Sequence, residues 1–166
     1  LYPPDPKDVA PALDDQKTFG ENVAFLYTGS DPIQTGVEEG ALIAEASSPV
    51  DGRVLDSAGQ PLGQVHVTVP AHPDWGSTLS RADGRYDLVV HGGVPRTLEF
   101  RKDGFLPAQR AIAPVPGDWA FVDDVVLVAL DPIVTTIDLA EATQIQVAMG
   151  SVVVDADGNR QATLFF

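Results

Sequence analysis

The 166-residue sequence contains no cysteine. Disulfides, thiolate metal sites and a cysteine nucleophile are thereby excluded; the compartment is left open, because many secreted chains also lack cysteine. Basic residues are scarce: 10 Lys and Arg stand against 24 Asp and Glu, a formal net charge of −14. Phosphate affinity comes from clustered Lys and Arg, so nucleic acid is not an expected partner, and an anionic membrane surface is equally unsuitable. No apolar run approaches the ~18 residues that span a bilayer, which excludes membrane insertion by a helix. Helix signals are weak as well. Residues 138–148 contain helix formers, yet Thr143, Ile145 and Val147 alternate as a strand would. No serine lies in a nucleophile elbow, and no glycine-rich phosphate loop opens a helix.

What is present is unevenly distributed. Residues 1–45 hold 9 acidic and 2 basic side chains, whereas residues 46–130 hold 10 and 7. The first segment also carries Pro3, Pro4, Pro6 and Pro11, a composition that buries little surface and favours extended chain. Embedded in it, residues 19–27 bring Phe19, Val23, Phe25, Leu26 and Tyr27 close together. A free tail has no use for such residues, so 1–45 reads as an acidic, proline-rich arm with a docking segment at 19–27, Phe19, Phe25 and Tyr27 being its aromatic contacts. With Leu1 at the start and Leu164, Phe165 and Phe166 closing an apolar run, the chain reads as a piece of a longer polypeptide.

From Ser48 the pattern changes to short alternating runs. Residues 64–69 are the cleanest, with Val65, Val67 and Val69 on one face. Residues 50–56, 77–80, 86–90, 96–101 and 105–112 are further strands. The intervening 14 prolines and 15 glycines mark turns, and Asp83-Gly84 is a hairpin signal. Residues 122–130 are apolar on both faces, as a central strand is. About seven short strands spaced roughly 8–12 residues apart indicate an all-β sandwich. Its expected core is Val65, Val67, Val69, Tyr86, Leu88, Val90, Leu98, Phe100, Val126 and Val128, each aliphatic contributing about 1.5–3 kcal/mol when fully buried. Beyond Asp131-Pro132, residues 143–154 and 161–166 around Asp155–Gly158 form a second, C-terminal hairpin. A lone hairpin is marginally stable, so it is expected to belong to a following domain.

Two stretches resemble known families. Gly52, Val54, Asp56, Gly59, Pro61-Leu62, Val65 and Val67, followed by Asp83-Gly84, Tyr86 and Leu88, resemble the carboxypeptidase regulatory-like domain, a small transthyretin-like or Ig-like sandwich. Residues 19–36 before the sandwich, with 134–139 and 150–164 after it, look like the region upstream of the YD-repeat shell in bacterial Rhs proteins, which are similar to teneurins. The resemblance implies a transthyretin-like domain at 48–131 and, at 132–166, a linker and the start of a plug-like β domain. It also implies that the rest of the same polypeptide, plug and YD-repeat shell, is the partner; that the shell encloses a C-terminal toxin; and that the protein is secreted or at the cell surface. The function so implied is a non-catalytic structural module that braces or caps the shell.

Candidate chemistry is thin. Among related sandwiches, 5-hydroxyisourate hydrolase ends in Tyr-Arg-Gly-Ser, whereas the strand ending at Leu130 runs into Asp131-Pro132. Intradiol dioxygenases bind iron through two Tyr and two His, but Pro70 and a strand end separate His66 from His72. His66 reads as a cross-strand contact, His91 as a solvated turn residue, and nothing brings His66, His72 and His91 together as a zinc site. Counted from Asp155, Gly158 is fourth and Phe166 twelfth, which does not match a calcium loop with Gly sixth and Glu twelfth. No catalytic, cofactor or metal residue is therefore assigned. Trp75 and Trp119 lie in loops, where tryptophan stacks on sugars or docks onto a neighbouring domain. A carbohydrate- or protein-binding adhesion module, with a cell-surface protein or glycan as partner, remains the alternative.

Overall fold

The computed structural model describes residues 2–140 and 144–166. They form two compact units, one running to Ala129 and the other Leu130–Phe166.

The first unit is an all-β sandwich. Strand β1 (Ser47–Asp56) is its axis, and β2 (His66–Thr68), β3 (Ser77–Leu79), β4 (Arg85–His91), β5 (Arg96–Arg101), β6 (Ala108–Ile112), β7 (Ala120–Phe121) and β8 (Val125–Leu127) follow. One sheet has β1 at its centre. It pairs antiparallel with β4 from Ser47↔His91 to Arg53↔Arg85, and parallel with β7 and then β8 on its other side. The second sheet is antiparallel, in the order β3-β2-β5-β6. Between them Val50, Val54, Val65, Val67, Tyr86, Leu88, Leu98, Phe100, Val125 and Leu127 are buried. Tyr86 meets Phe100 edge-on at 5.4 Å, and its ring lies over Gly52, where any β-carbon would come within 2.5 Å of the hydroxyl.

Two sequence expectations change here. Residues 122–130 form no central strand. β7 and β8 make a split edge beside β1, and the phase is the opposite of the one expected. Val125 and Leu127 face the core, whereas Val126 and Val128 are 42% and 50% exposed. A run apolar on both faces carries no alternation, so pairing with β1 sets the phase. The Asp83-Gly84 turn is real, with Gly84 N–H donating to the Arg81 carbonyl at 2.9 Å. Arg81 N–H also donates to the Arg85 carbonyl at 2.8 Å, closing a tight hairpin turn, but beyond it the chain diverges, because β3 belongs to one sheet and β4 to the other.

The segment before β1 packs onto this sandwich. Helix α1 (Pro6–Val9) is capped by Asp5, and α2 (Phe19–Val23) has a complete capping box between Thr18 and Glu21. Helix α2, absent from the sequence reading, continues into a 3-10 turn at Ala24–Leu26. Val23, Leu26, Ile33 and Leu42 join the core cluster. At Gly20 a β-carbon would sit 1.9 Å from the Ala44 carbonyl oxygen, so α2 reaches the turn before β1 only because that residue is glycine.

The second unit is a hairpin of β9 (Val147–Asp155) and β10 (Gly158–Phe165). The Asp131 carboxylate accepts from the N–H of Ile133 and from the N–H and hydroxyl of Ser151 at 2.6–2.9 Å, tying the connector to β9. Asp155 is paired with Arg160 across the turn. Thr143, expected at the start of this hairpin, lies outside the described residues.

Candidate functional site

Three arrangements bring polar chemistry together in the first unit. The first is a latch. β4 is the edge of its sheet and β3 the edge of the other. Gln34 reaches the β4 edge from the arm: its Oε1 accepts from Val89 N–H at 2.6 Å, and its Nε2 donates to the carbonyls of Val89 at 3.1 Å and Trp75 at 2.6 Å. Gln34 is fully buried, and its amide does what a neighbouring strand residue does. One residue on, Thr35 exchanges both backbone hydrogen bonds with Ser77 of β3 at 2.8 and 2.9 Å. Gly76, at φ +68°, permits this approach; a β-carbon there would lie 2.1 Å from the Thr35 carbonyl oxygen. Residues 34 and 35 therefore satisfy backbone groups at the edges of both sheets. Because the arm covers its outer face, β4 is buried on both sides, Val89 included.

The second arrangement surrounds Trp75, which lies in a 3-10 turn (Pro73–Trp75) and is 2% exposed. His72 stacks on it at 3.9 Å, His91 tilts against it at 4.9 Å, and the Arg96 guanidinium lies 5.0 Å from its ring centre. Trp75 is thus a core residue, not an exposed loop contact. His91 is no solvated turn residue either: it closes β4, and its Nε2 accepts from Ile43 N–H at 3.0 Å. Burial, reinforced by the nearby Arg96 and His72, pushes the His91 pKa down. His72 Nε2 lies 3.1 Å from Arg96 Nη1, which can only donate. The structure gathers two of the three histidines but uses both as acceptors, and His66 stands apart on β2, exposed. Among the described residues no cluster of three or more His, Asp or Glu is placed to hold a metal ion.

The third arrangement is a cleft on the outer face of the β1 sheet, about 600 Å³ in volume. Its floor is one row across three strands: Phe121 of β7 beside Asp51 of β1, and Asp51 opposite Asp87 of β4. Like charges directly opposite repel, and each carboxylate is given its own arginine. Arg81 Nη1 meets Asp87 at 2.5 Å with both residues buried, and Arg85 Nη1 lies 3.3 Å from Asp51. Burial raises the pKa of both Asp51 and Asp87, the arginines pulling the other way. Arg81 Nε is buried with no acceptor. Asp5 and Lys7, paired at 2.8 Å, contribute from α1. Trp119, stacked with Phe121 at 6.5 Å and 18°, forms an open lip; Trp119 is 36% exposed and Phe121 78%.

The expected docking residues Phe19, Phe25 and Tyr27 are half-buried around the core, while Val23 and Leu26 go deeper. Gln34, Arg81, Asp87, Arg96 and Phe121 join these sites without a motif in the sequence that marks them. The outward phase of Asp51 and Asp87 is visible in their strands, but their adjacency needs the register. Gln34 carries no signal at all in a turn-rich stretch.

Residues 43–127 match the family model of the teneurin TTR-like domain. Among curated proteins the chain is 34% identical to mouse (Mus musculus) teneurin-3 over 109 residues, 62% of this chain and 4% of that protein. It is 34% identical to human (Homo sapiens) teneurin-1 over 115 residues, 66% of this chain and 4% of the relative. With teneurin-1 of Caenorhabditis elegans it shares 39% over 124 residues, 66% of this chain and 5% of the relative. The chain thus spans about one-twentieth of the length of these relatives.

Proposed function

The chain belongs to the teneurin TTR-like domain family, and from that premise we propose that it is a non-catalytic structural module that works by burial and docking. We place it in a Rhs/YD-repeat, teneurin-like toxin or surface protein, secreted or held at the cell surface, where it braces or caps the shell that encloses a C-terminal toxin. Its partner is the remainder of its own polypeptide, the plug and the YD-repeat shell. No described helix is long and apolar enough to cross a membrane.

The observation that supports this reading is the Gln34–Thr35 latch. An arm that satisfies edge groups of both sheets gives a sandwich protected against adventitious strand pairing, as a brace within a large assembly needs. The test uses the longer polypeptide that carries the shell, with and without residues 1–129. The reading expects the shortened protein to lose protease resistance in the shell and to release or expose its C-terminal segment. An equally resistant shell with an equally enclosed segment would overturn it.

A further inference from the structure

We propose that the cleft between α1, β1, β4 and β7 is a binding site for a neutral saccharide. Four carboxylates and three cations line the cleft, but they are neutralised in pairs: Asp5 with Lys7, Asp51 with Arg85 and Asp87 with Arg81. Only Asp83 lacks a basic side-chain partner among the described residues; one of its carboxylate oxygens accepts from Arg85 N–H at 3.0 Å. An anionic ligand has to break one of these pairs, at a desolvation cost its own charge does not recover in the case of the buried Arg81–Asp87 pair, and a cationic ligand finds only one unpaired carboxylate, the solvent-exposed Asp83. A neutral ligand leaves all three intact and meets carboxylate acceptors and guanidinium donors together.

The second observation is shape. Trp119 and Phe121 present nearly parallel rings, 18° apart, at the lip, and both are open to solvent. An aromatic face beside a polar floor suits a ring with one face of C–H groups and a rim of hydroxyls, as a pyranose has. The apolar area is too interrupted by charge to suit a hydrophobic partner, because Asp51 is the cross-strand neighbour of Phe121 and its partner Arg85 lines the same cleft. The proposal is independent of the structural role: a module can brace an assembly and hold a glycan on a different face.

The test titrates the whole 166-residue chain with neutral glucose, galactose and N-acetylglucosamine oligosaccharides, a heparin fragment and an arginine-rich peptide serving as charged controls. Tryptophan fluorescence and calorimetry report binding. Expected is saturable binding of at least one neutral oligosaccharide with Kd on the order of 1 mM or tighter, within about twofold of the same value when salt is raised to 1 M, since screening acts on charges. Trp119→Ala and Phe121→Ala, at exposed positions where the fold does not depend on the ring, each weaken binding about tenfold with an unchanged melting temperature. Absence of neutral-sugar binding, full affinity in both variants, or preferential binding of either charged control overturns the proposal.

Discussion

Trp75 and Trp119 occupy similar places in the sequence, each in a loop beside proline or glycine, and end in opposite environments. Trp75 is covered by His72, His91 and Arg96, and its carbonyl is held by the buried Gln34. Trp119 has one ring neighbour, Phe121, and looks out over a charged cleft. What separates them is the set of neighbours: His91 of β4, Arg96 of β5 and the arm's Gln34 converge on Trp75, whereas the lip at β7 has no such cover. The Trp75 ring is thus covered by its own turn and by neighbouring strands, and its backbone is held by a segment more than 40 residues away along the chain.

The comparison can be broken from either side. Trp75→Ala is expected to have the largest effect, a loss of about 3–5 kcal/mol, as for other buried large-to-small changes; urea denaturation measures it. Gln34→Ala should follow closely. It strands the N–H and C=O of Val89 and the C=O of Trp75, and buried groups left unpaired cost about 1–3 kcal/mol each before relaxation. It should also speed hydrogen exchange at Val89. A urea midpoint unchanged by Gln34→Ala would show that the arm does not hold Trp75 in place.

Acid probes the same region. The folded His91 pKa lies below its ordinary value because of burial and the neighbouring Arg96. The unfolded chain therefore takes up the proton first, and stability falls as pH drops through about 6.5. Urea midpoints between pH 7.5 and 6 should decline, and His91→Gln should flatten the decline, while any opposite contribution from the raised carboxyls of Asp51 and Asp87 is common to both proteins. Trp119→Ala is the smallest expected effect, within about 0.5 kcal/mol, as for surface changes. A large loss there would mean that the lip is structural after all. Tyr86→Phe supplies a control inside the core. The Tyr86 hydroxyl is buried without a partner, so its removal should be neutral or stabilising by about 1 kcal/mol.

Much of the sandwich is legible in sequence because period-two runs such as Val65, Val67 and Val69 have only one way to face a core. Where both faces are apolar the phase is lost, and Val126 and Val128 were assigned inward when Val125 and Leu127 are the buried pair. Turn chemistry was readable, but the sheets a turn connects were not: Asp83-Gly84 bends the chain from β3 to β4, and each strand pairs elsewhere. The cleft depends on cross-strand register, which sets Phe121, Asp51 and Asp87 in one row. Gln34 was illegible for a different reason. A polar residue is buried only when distant backbone groups need it, and those groups are visible only after the sheets exist.

Gln34 also carries a consequence for the order of events during synthesis. The arm leaves the ribosome before the strands it binds, since the backbone it holds at Trp75 and Val89 lies 41 and 55 residues later. Until those strands emerge, Val23, Leu26 and Ile33 have no surface to dock on. The 9 acidic and 2 basic side chains of residues 1–45 give this waiting segment a self-repelling, hydrated character that disfavours premature collapse. A charge excess of this kind favours timing, leaving the earlier-made arm free for a late step in closing the sandwich.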